Sequence, residues 1–493
     1  MSGARNPPSV LTAAQATLVH LPTEGQFLVR GAAGAGKSTV ALARALHVAR
    51  QPLLHGAARV LLLARSPSLA AELAARRDEL APHAAARIDV DSAASWCHRF
   101  LATPAAPAPP LRRGEFELLV GLAVQLVRRR NKRLVLRQPL SFFTSEFHSM
   151  VLSLGLERIE EYLAVEREGR ARPLDDESRK AVFAVFAEVR RLAARFGRTL
   201  PMALVPAALR RLASTRAPPY DHVVVDDAHL LAPIELKLVR ALSSGGSLTL
   251  FSALEQRFDP LAAKLTELGL GRLDRTEVLP RSLRGPKAIY RAALAILKRR
   301  GGASSSDLKA IVPDAIDGPR PRLIVAADWQ GELDALVGQL QLLQREGRPL
   351  CDAAVLAASE GDLELVATAL AAAGLPAQHV RDDETAPLRP DAVRLVPLHA
   401  APGREFPLLF LLDCNLGAYP RQKQDLAPHE RPLAVENAAR LLHLALTRAT
   451  EEALLFASEP TLSPLLPKKL IAIERAPESA AASGESAAGA PIG

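Results

Sequence analysis

The sequence predicts an α/β protein with two mainly parallel sheets, and three observations support this class. First, short apolar runs alternate with helical segments, as where Phe27–Val29 is followed by Ala41–Arg50; this is typical of parallel strands joined by crossover helices. Second, the alternation stops near residue 103, resumes near residue 220 and starts a second series at residue 322. Third, 493 residues exceed what one hydrophobic core usually holds, so at least two domains are expected.

The overall composition is that of a soluble globular protein, with 48% hydrophobic and 23% charged residues. No apolar run reaches membrane-spanning length, and the N-terminus lacks the apolar centre of a signal peptide, so a cytoplasmic protein without membrane contact is expected. Only three cysteines occur, far apart in the chain, which disfavours a disulfide framework or a zinc site. The net charge of +9 weakly favours an anionic partner such as nucleic acid.

The first apolar strand leads into a glycine-rich loop, GAAGAGKS at residues 31–38, which fits the pattern G-x-x-x-x-G-K-[ST]. Glycines let the loop backbone wrap an anion with its N–H groups, and the following helix N-terminus adds partial positive charge. The lysine reaches the β- and γ-phosphates, and the serine hydroxyl is a ligand for Mg²⁺. A chance loop in an alanine-rich protein is the alternative, which the flanking strand and helix disfavour. The residues expected to bind nucleotide are Gly31, Gly34, Gly36, Lys37, Ser38 and Thr39.

Two carboxylates follow a later strand of the same series. Strands at Arg59–Ala64 and Arg87–Val90 continue the alternation, and the run YDHVVV at residues 220–225 then ends in Asp226 and Asp227. Beside a phosphate loop, such a strand end supplies an acidic group near Mg²⁺ and a base for water. An ordinary acidic strand–loop junction is the alternative, which the upstream phosphate loop disfavours.

A helical stretch separates these two parts of the first series. Residues 103–114 are rich in proline and alanine and indicate a domain edge, and from there to about Ala217 no strand pattern is present. Basic clusters occur at Arg112–Arg113, Arg128–Arg130 and Lys132–Arg133. Such clusters are usually solvated helix faces, but they are equally suited to the phosphates of a nucleic acid.

The second α/β series begins at the strand Arg322–Ala326, and its last strand is predicted at Ala453–Phe456. Residues 476–493 are rich in Ala, Ser, Gly and Glu and are predicted to be disordered. The other predicted strands of this series are Ala353–Ala357, Val393–Pro397 and Leu408–Leu412.

The order of these segments resembles that of UvrD/Rep-type superfamily 1 helicases, over nearly all of residues 11–457. LTAAQ is similar to the family's Q motif, GAAGAGKS to motif I, VLLLARSPSLAAEL to motif Ia and VVVDDAHLL to motif II. LFSALEQRF is similar to motif III, LPRSLRG to motif IV, VPLHAAPGREFPLLFLLD to motif V and RLLHLALTRA to motif VI. The ordered set is much more specific than any one motif.

The resemblance implies two RecA-like domains that bind ATP and Mg²⁺ in the cleft between them and move 3′ to 5′ on single-stranded or partly duplex DNA. It implies that Gln15 contacts adenine, although on its own this residue fits an ordinary helix-surface position. Asp226 would hold Mg²⁺, and Asp227 would stand in place of the catalytic glutamate. The other implied contacts are Gln256 and Gly403 with the γ-phosphate, Glu405 with the ribose, and Arg284 and Arg448 as arginine fingers.

The same resemblance implies the domain boundaries. The first RecA-like domain would comprise residues 1–102 and 216–278, with the helical insertion at residues 103–215. The second would comprise residues 279–475, ahead of the disordered tail at 476–493. The large insertion that many family members carry in the second domain is missing from this sequence.

Several positions depart from the family pattern. Asp227 replaces glutamate, and its side chain is one methylene shorter, so the base must approach water differently. Most of the other changes concern strand contact and coupling, whereas most phosphate-facing positions are kept. We therefore expect a slow ATPase and weak unwinding. The other altered positions are Arg65, His229, Ser252, Ala253, Pro397 and Pro402.

Two functions from different classes remain open at this point. The leading hypothesis is an ATP-dependent DNA translocase or helicase. The alternative is a nucleotide-binding interaction module that has kept the fold and lost unwinding. A small-molecule kinase or unrelated P-loop NTPase is disfavoured, because it does not explain Arg284, HAAPGREF and ALTRA in one chain.

Overall fold

The chain folds into two units, each built around one large sheet. The first unit comprises Met1–Arg30, Lys37–Ser252 and Phe258–Val278, and the second comprises Gly31–Gly36, Ala253–Arg257 and Leu279–Gly493. The computed structural model describes residues 11–53, 56–102, 108–167, 173–200, 202–253, 273–279, 281–283, 285–298, 317–382, 389–420 and 431–476.

The first sheet has six strands in the order β5-β4-β6-β7-β1-β8. Its β4–β5, β4–β6 and β6–β7 pairings are parallel. The strands β4 and β6 are buried along their whole length, as expected for central strands covered on both faces. The strands in chain order are β1 Gln26–Gly31, β2 Pro52–Leu53, β3 Gly56–Ala57, β4 Val60–Ala64, β5 Ile88–Ser92, β6 His222–Val225, β7 Leu248–Ala253 and β8 Arg275–Leu279, with β2 and β3 forming a separate antiparallel pair.

Helix α1 precedes β1, helices α2 to α4 and α10 lie between the strands in sequence, and α5 to α9 form the helical insertion. Within the described part of residues 108–215 the structure contains helices and no strand, as the sequence predicts. A turn of π-helix, Phe147–Leu152, directly follows α6. The helices are α1 Ala13–Val19, α2 Lys37–Ala49, α3 Pro67–Leu80, α4 Ala93–Leu101, α5 Arg113–Arg130, α6 Leu140–Glu146, α7 Ile159–Ala164, α8 Asp176–Arg195, α9 Leu204–Ala213 and α10 Pro233–Leu242.

The second sheet has seven strands in the order β11-β12-β10-β13-β14-β9-β15, and all of its pairings are parallel. Together with the first sheet it confirms the predicted α/β class. Its helices are α11 Lys287–Lys298, α12 Trp329–Arg345, α13 Glu360–Ala372 and α14 Arg431–Leu446. Its strands are β9 Arg322–Ala326, β10 Ala353–Ala357, β11 Ala377–His379, β12 Val393–Pro397, β13 Phe406–Leu411, β14 Ala449–Ser458 and β15 Ala472–Arg475.

The prediction that Ala453–Phe456 is the last strand is wrong. That strand is longer, and β15 follows it and pairs with β9. All four residues of β15 are exposed, and four of the five residues of β8 are exposed or half-buried. Edge strands of this kind carry polar side chains on both faces, so they lack the apolar run by which the central strands were recognised. Among the residues that the structure describes, no helix is long and apolar enough to cross a membrane.

A buried ion pair fixes the core of the helical insertion. Arg167 donates to both carboxylate oxygens of Glu146, at 2.7 and 2.8 Å, and the Tyr162 hydroxyl donates to the same carboxylate at 2.6 Å. The Glu146 and Tyr162 side chains are fully buried, and Arg167 is 5% exposed. A buried carboxylate is tolerated only when it is paired and hydrogen-bonded, so this cluster determines how residues 162–167 pack.

Arg167→Met is expected to lower the free energy of unfolding by about 3–5 kcal/mol, because it leaves the Glu146 charge buried without its cation. Urea unfolding followed by circular dichroism measures this loss. The matched control is Arg133→Met, which removes an exposed partner of Glu177 and should cost at most about 1 kcal/mol. Equal losses in the two variants would contradict a special role for the buried pair.

A second buried carboxylate lies at the carboxyl ends of β13 and β14. Glu332 is fully buried and accepts from the Asp413 N–H at 3.0 Å and from the Asn415 side chain at 3.2 Å. Burial raises the pKa of Glu332 to about 7, although these hydrogen bonds oppose the shift. The folded protein therefore holds a proton on Glu332 at pH values where the unfolded chain has released it.

This carboxyl makes the stability of the protein depend on pH in a defined direction. The folded pKa lies above the unfolded value, so the folded state binds more protons between about pH 4.5 and pH 7. Stability from this group is thus greatest below that window and falls as pH rises through it, by roughly 3 kcal/mol in total. We expect the difference in unfolding free energy between wild type and Glu332→Gln to change between pH 5 and pH 8. A difference that stays constant with pH would refute the assignment.

Candidate nucleotide site

The phosphate-loop pattern lies between β1 and α2, as the sequence predicts. The strand β1 ends at Gly31, and α2 begins at Lys37. Gly34 and Gly36 have φ angles of 72° and 77°, a region that favours glycine, so these two positions need the residue that the pattern supplies. Lys37 and Ser38 are consequently the first two residues of a helix, where partial positive charge from the backbone favours an anion.

Asp226 lies beside these two residues in the first unit. It directly follows β6, and its N–H donates to the Leu63 carbonyl at the end of β4, at 2.9 Å. Its side chain is hydrogen-bonded to Ser38 and is within the electrostatic range of Lys37. The fold therefore brings together the lysine, the hydroxyl and the first carboxylate that the sequence assigned to one site.

The Asp226 carboxylate is buried and only partly hydrogen-bonded. Asp226 is 7% exposed, and its Oδ1 atom is buried without a hydrogen-bond partner in the described residues. Burial and the neighbouring charge of Asp227 raise the pKa of Asp226 to about 7, and the Ser38 hydrogen bond and Lys37 oppose this shift. A buried carboxylate oxygen without a partner is costly unless a proton or a metal ion stabilises it.

The oxygen atoms of Asp226 and Ser38 fit a Mg²⁺ ion that binds together with nucleotide phosphates. They fit less well a metal ion whose ligands all come from the protein. Asp226 and Ser38 offer oxygen atoms, which Mg²⁺ prefers, and Mg²⁺ commonly binds one or two carboxylates together with substrate phosphates. Within the described residues no group of three or more His, Cys, Asp or Glu side chains is arranged to hold a metal ion. The ion would therefore depend on nucleotide phosphates for most of its other ligands.

Asp227 has a backbone conformation that favours aspartate over glutamate at this position. Its φ angle is 51° and its ψ angle 44°, in the left-handed region, and its carbonyl accepts from the Leu230 N–H at 2.9 Å. Asp and Asn enter this region more readily than most residues. The side chain is half-buried, so the carboxylate retains access to solvent.

Segments similar to motifs I, IV, V and VI meet within the second unit. The Leu283 N–H donates to the Gly34 carbonyl at 3.0 Å. A Cβ atom on Gly285 would lie 2.8 Å from the Ala449 carbonyl oxygen, so only glycine fits there without a shift. Arg448, the neighbour of Ala449, donates to the Arg404 carbonyl at 3.4 Å. Leu283 thus contacts the phosphate loop, and Gly285 lies against the residues that follow α14.

Arg448 lies at the carboxyl end of α14, next to the glycine loop before β13. Its guanidinium also donates to the Leu444 carbonyl at 3.2 Å and to the Thr447 hydroxyl at 3.3 Å. These contacts are long for hydrogen bonds of a charged group, so the cation is held but not tightly paired. Gly403, with a φ angle of 78°, and the half-buried Glu405 flank the Arg404 carbonyl that Arg448 contacts.

Gln15 has a structural role that the sequence did not show. It forms a capping box with Thr12, in which its Oε1 accepts from the Thr12 N–H at 2.9 Å and its own N–H donates to the Thr12 hydroxyl. Gln15 is 5% exposed rather than on the helix surface. One amide oxygen therefore fixes the start of α1, and the assignment to adenine remains a prediction.

Arg44 positions α1 against α2 and was missed by sequence reasoning. Its guanidinium is fully buried and donates to the carbonyls of Val19, the last residue of α1, and of Leu21 and Pro22, which follow the helix. Burial lowers the pKa of Arg44 to about 10. On an alanine-rich helix an arginine suggests a surface position, and only the unsatisfied carbonyls at a nearby helix end would have indicated otherwise.

The structure describes some of the remaining predicted positions and not others. Gln256 and Arg284 lie outside the described residues, as do residues 477–493 of the tail that is predicted to be disordered at 476–493. Ala476 itself is described, and its N–H donates to the Val325 carbonyl at 2.8 Å. Thr39 is the third residue of α2 and is half-buried. Of the altered positions, Ser252 is fully buried at the end of β7, and Arg65 is half-buried directly after β4.

No family model matches this chain, and no curated protein matches it significantly. Among matching solved structures is the C-terminal domain of a possible DNA helicase from Lactobacillus plantarum WCFS1, with 24% sequence identity and a TM-score of 0.29. That match covers 39% of this chain and 98% of the other. The fold defines an α/β protein with two mainly parallel sheets.

Proposed function

We propose that the chain is an ATP-dependent DNA translocase or helicase of the UvrD/Rep type, with two RecA-like domains and 3′ to 5′ movement on single-stranded DNA. The observation that carries the proposal is the buried Asp226 carboxylate hydrogen-bonded to Ser38 and close to Lys37 at the start of α2. Burying an unpartnered carboxylate oxygen is costly, so an acidic strand end without a function would not be expected to place one beside a helix that starts with Lys and Ser.

In this proposal each group of the site has one role in binding or hydrolysis. Lys37 binds the β- and γ-phosphates, and Ser38 and Asp226 hold Mg²⁺, which neutralises charge on the phosphates when it is bound. Asp227 accepts a proton from the attacking water or orients it. Gln15 would bind adenine, Gln256 and Gly403 would lie near the γ-phosphate, Glu405 near the ribose, and Arg284 and Arg448 would stabilise the charge that develops during transfer.

The contacts of Arg448 suggest how nucleotide could change the second unit. Its guanidinium now contacts carbonyls and a hydroxyl at 3.2–3.4 Å. A phosphate oxygen is a stronger partner for a guanidinium than a carbonyl. Nucleotide would therefore draw Arg448 away from Arg404 and release the loop that carries Gly403 and Glu405. Such a coupling between hydrolysis and loop position is what a translocase needs.

The exposed cations at the end of α5 are the proposed contact with DNA phosphates. Arg128, Arg129 and Lys132 are all exposed. We expect Ala at these three positions to weaken single-stranded DNA binding and to reduce the slope of log affinity against log salt by about 2. The matched control replaces Arg158, Lys180 and Arg191, which are also exposed on the insertion but each paired with a local glutamate. Equal loss in both triple variants would indicate only a general charge effect.

The decisive experiment is ATP turnover of the purified chain with and without single-stranded DNA, together with strand displacement. Stimulation by DNA and measurable displacement support the proposal. The substitutions at Arg65, Asp227 and Ser252 favour the alternative, a nucleotide-binding interaction module without unwinding. ATP binding without DNA stimulation, combined with salt-insensitive or undetectable DNA binding, would establish that alternative.

A further inference from the structure

A cavity of about 200 Å³ lies inside the first unit, where the helical insertion meets the core of the first sheet. It is lined by residues of the π-helical turn, α8, and the segment from Arg198 to Pro206. Met202, which has a φ angle of 58°, packs against both the insertion core and the sheet core. The cavity is therefore located at the junction of two hydrophobic cores and not in the middle of either.

Gly155 lies against Ile234 at the same junction. Gly155 lines the cavity and has a φ angle of 71°, and a Cβ atom there would lie 2.7 Å from Ile234 Cδ1. Ile234 belongs to α10, the helix that follows the two carboxylates of the nucleotide site. The wall of the cavity thus contacts an element that is connected to Asp226 and Asp227 by a few residues of chain.

The size and apolar surface of the cavity favour a small ring. A closed apolar cavity of about 150 Å³ holds benzene, so this partly open cavity of about 200 Å³ has room for a single ring with one substituent. It is too small for most drug-sized ligands, whose pockets are roughly 300–1,000 Å³. Much of its wall is apolar, formed by Val151, Leu152, Phe186, Ala193 and Leu200.

The polar part of the lining favours a single negative charge. Two of the three charged lining residues have partners of opposite sign: Arg198 pairs with Glu115 at 2.9 Å, and Glu157 pairs with Arg210. The third, Arg190, donates to the Glu157 carbonyl at 3.0 Å and has no carboxylate partner among the residues that the structure describes, so one positive charge is left over. The Thr199 Oγ1 atom, also in the lining, is buried without a hydrogen-bond partner in the described residues.

We propose that this cavity binds a small monoanion with one apolar ring, an aryl carboxylate, whose ring occupies the apolar wall while its carboxylate meets Arg190 and the Thr199 hydroxyl. A carboxylate accepts from both groups and neutralises the remaining charge. Because Met202 in the cavity wall packs against both cores, the bound molecule stabilises the junction between the helical insertion and the first sheet.

The test uses 4-fluorobenzoate and the neutral 4-fluorobenzyl alcohol as probes, with binding to the full chain followed by fluorine NMR. Saturable binding of the benzoate, with a dissociation constant on the order of 0.1–1 mM, is expected for a ligand of this size. It should also raise the thermal unfolding midpoint. The alcohol should bind more weakly, because it has no charge to pair with Arg190.

Two variants separate the proposed site from general charge effects. Arg190→Gln should weaken benzoate binding about tenfold and leave the alcohol unchanged, because it removes one charged hydrogen bond from an exposed side chain. Arg191→Gln is the matched control, since its side chain is exposed, pairs with Glu188 and does not line the cavity. Ala193→Leu should reduce the binding of both probes by filling the apolar wall. Absence of saturable binding, or equal losses in the Arg190 and Arg191 variants, would overturn the proposal.

Discussion

Lys37→Ala is expected to reduce ATP turnover by on the order of 10²–10³-fold, the loss typical when a catalytic site loses one electrostatic donor to the reacting group. Lys37 is 9% exposed at the first position of α2, so its ammonium is largely removed from bulk water and interacts strongly with an anion. Steady-state ATP hydrolysis with saturating Mg²⁺ measures the effect. The matched control is Lys237→Ala, which removes an exposed lysine from α10 and should leave turnover unchanged.

The same substitution should also weaken Mg²⁺ binding. Lys37 helps to keep Asp226 ionised against the effect of burial, so its removal raises the pKa of Asp226 further. At neutral pH a larger fraction of Asp226 is then protonated and unable to bind a cation. Titration calorimetry with Mg²⁺ and a non-hydrolysable ATP analogue tests this. Wild-type turnover in the Lys37→Ala variant would remove Lys37 from the proposed mechanism.

The elements that could be predicted from the sequence are those defined by local patterns. The strand before Gly31, the helix after it and the strand before Asp226 each follow from apolar runs and from glycine at positions with positive φ angles. The meeting of Lys37, Ser38 and Asp226 also follows, because parallel strands of one sheet end at the same edge, and β7 lies between β1 and β6.

The features that could not be predicted depend on contacts between distant residues. Arg44 is buried because it donates hydrogen bonds to three carbonyls at and just after the end of α1. The sequence of α2 alone does not indicate those partners. Gln15 is buried by its capping box, whereas its position in a short helix suggested a surface residue. The edge strands β8 and β15 form because a neighbouring strand offers free backbone groups, and that information lies in the partner strand.

The backbone of Asp227 is the clearest case of information that the sequence lacks. A strand end followed by two aspartates does not specify whether the second has positive φ. In the structure this residue has a φ angle of 51°, and such strained positions cluster at functional sites. Glutamate at the same position would extend the carboxylate by one methylene but would enter the left-handed region less readily. The shorter side chain and the unusual backbone are therefore related features.

Asp227→Asn is expected to lower ATP turnover by about 10²-fold or more while leaving nucleotide affinity nearly unchanged, because the amide cannot accept a proton from water. Asparagine also tolerates positive φ, so the backbone after β6 should be preserved. The matched control is Asp221→Asn on the other end of β6, where the side chain accepts from the Arg59 N–H at 2.8 Å and an amide oxygen can do the same. Single-turnover hydrolysis and analogue binding together separate catalysis from affinity.

Asp227→Glu tests whether the shorter side chain of aspartate limits the reaction. If reach limits the reaction, the longer carboxylate should preserve or raise turnover, and the cost of placing glutamate at a φ angle of 51° should appear as a lower thermal midpoint. Improved turnover with lower stability would show that aspartate has the shorter reach but fits this left-handed turn with less strain than glutamate. Wild-type turnover in Asp227→Asn would instead show that this residue is not the base, and the role would have to be sought elsewhere in the site.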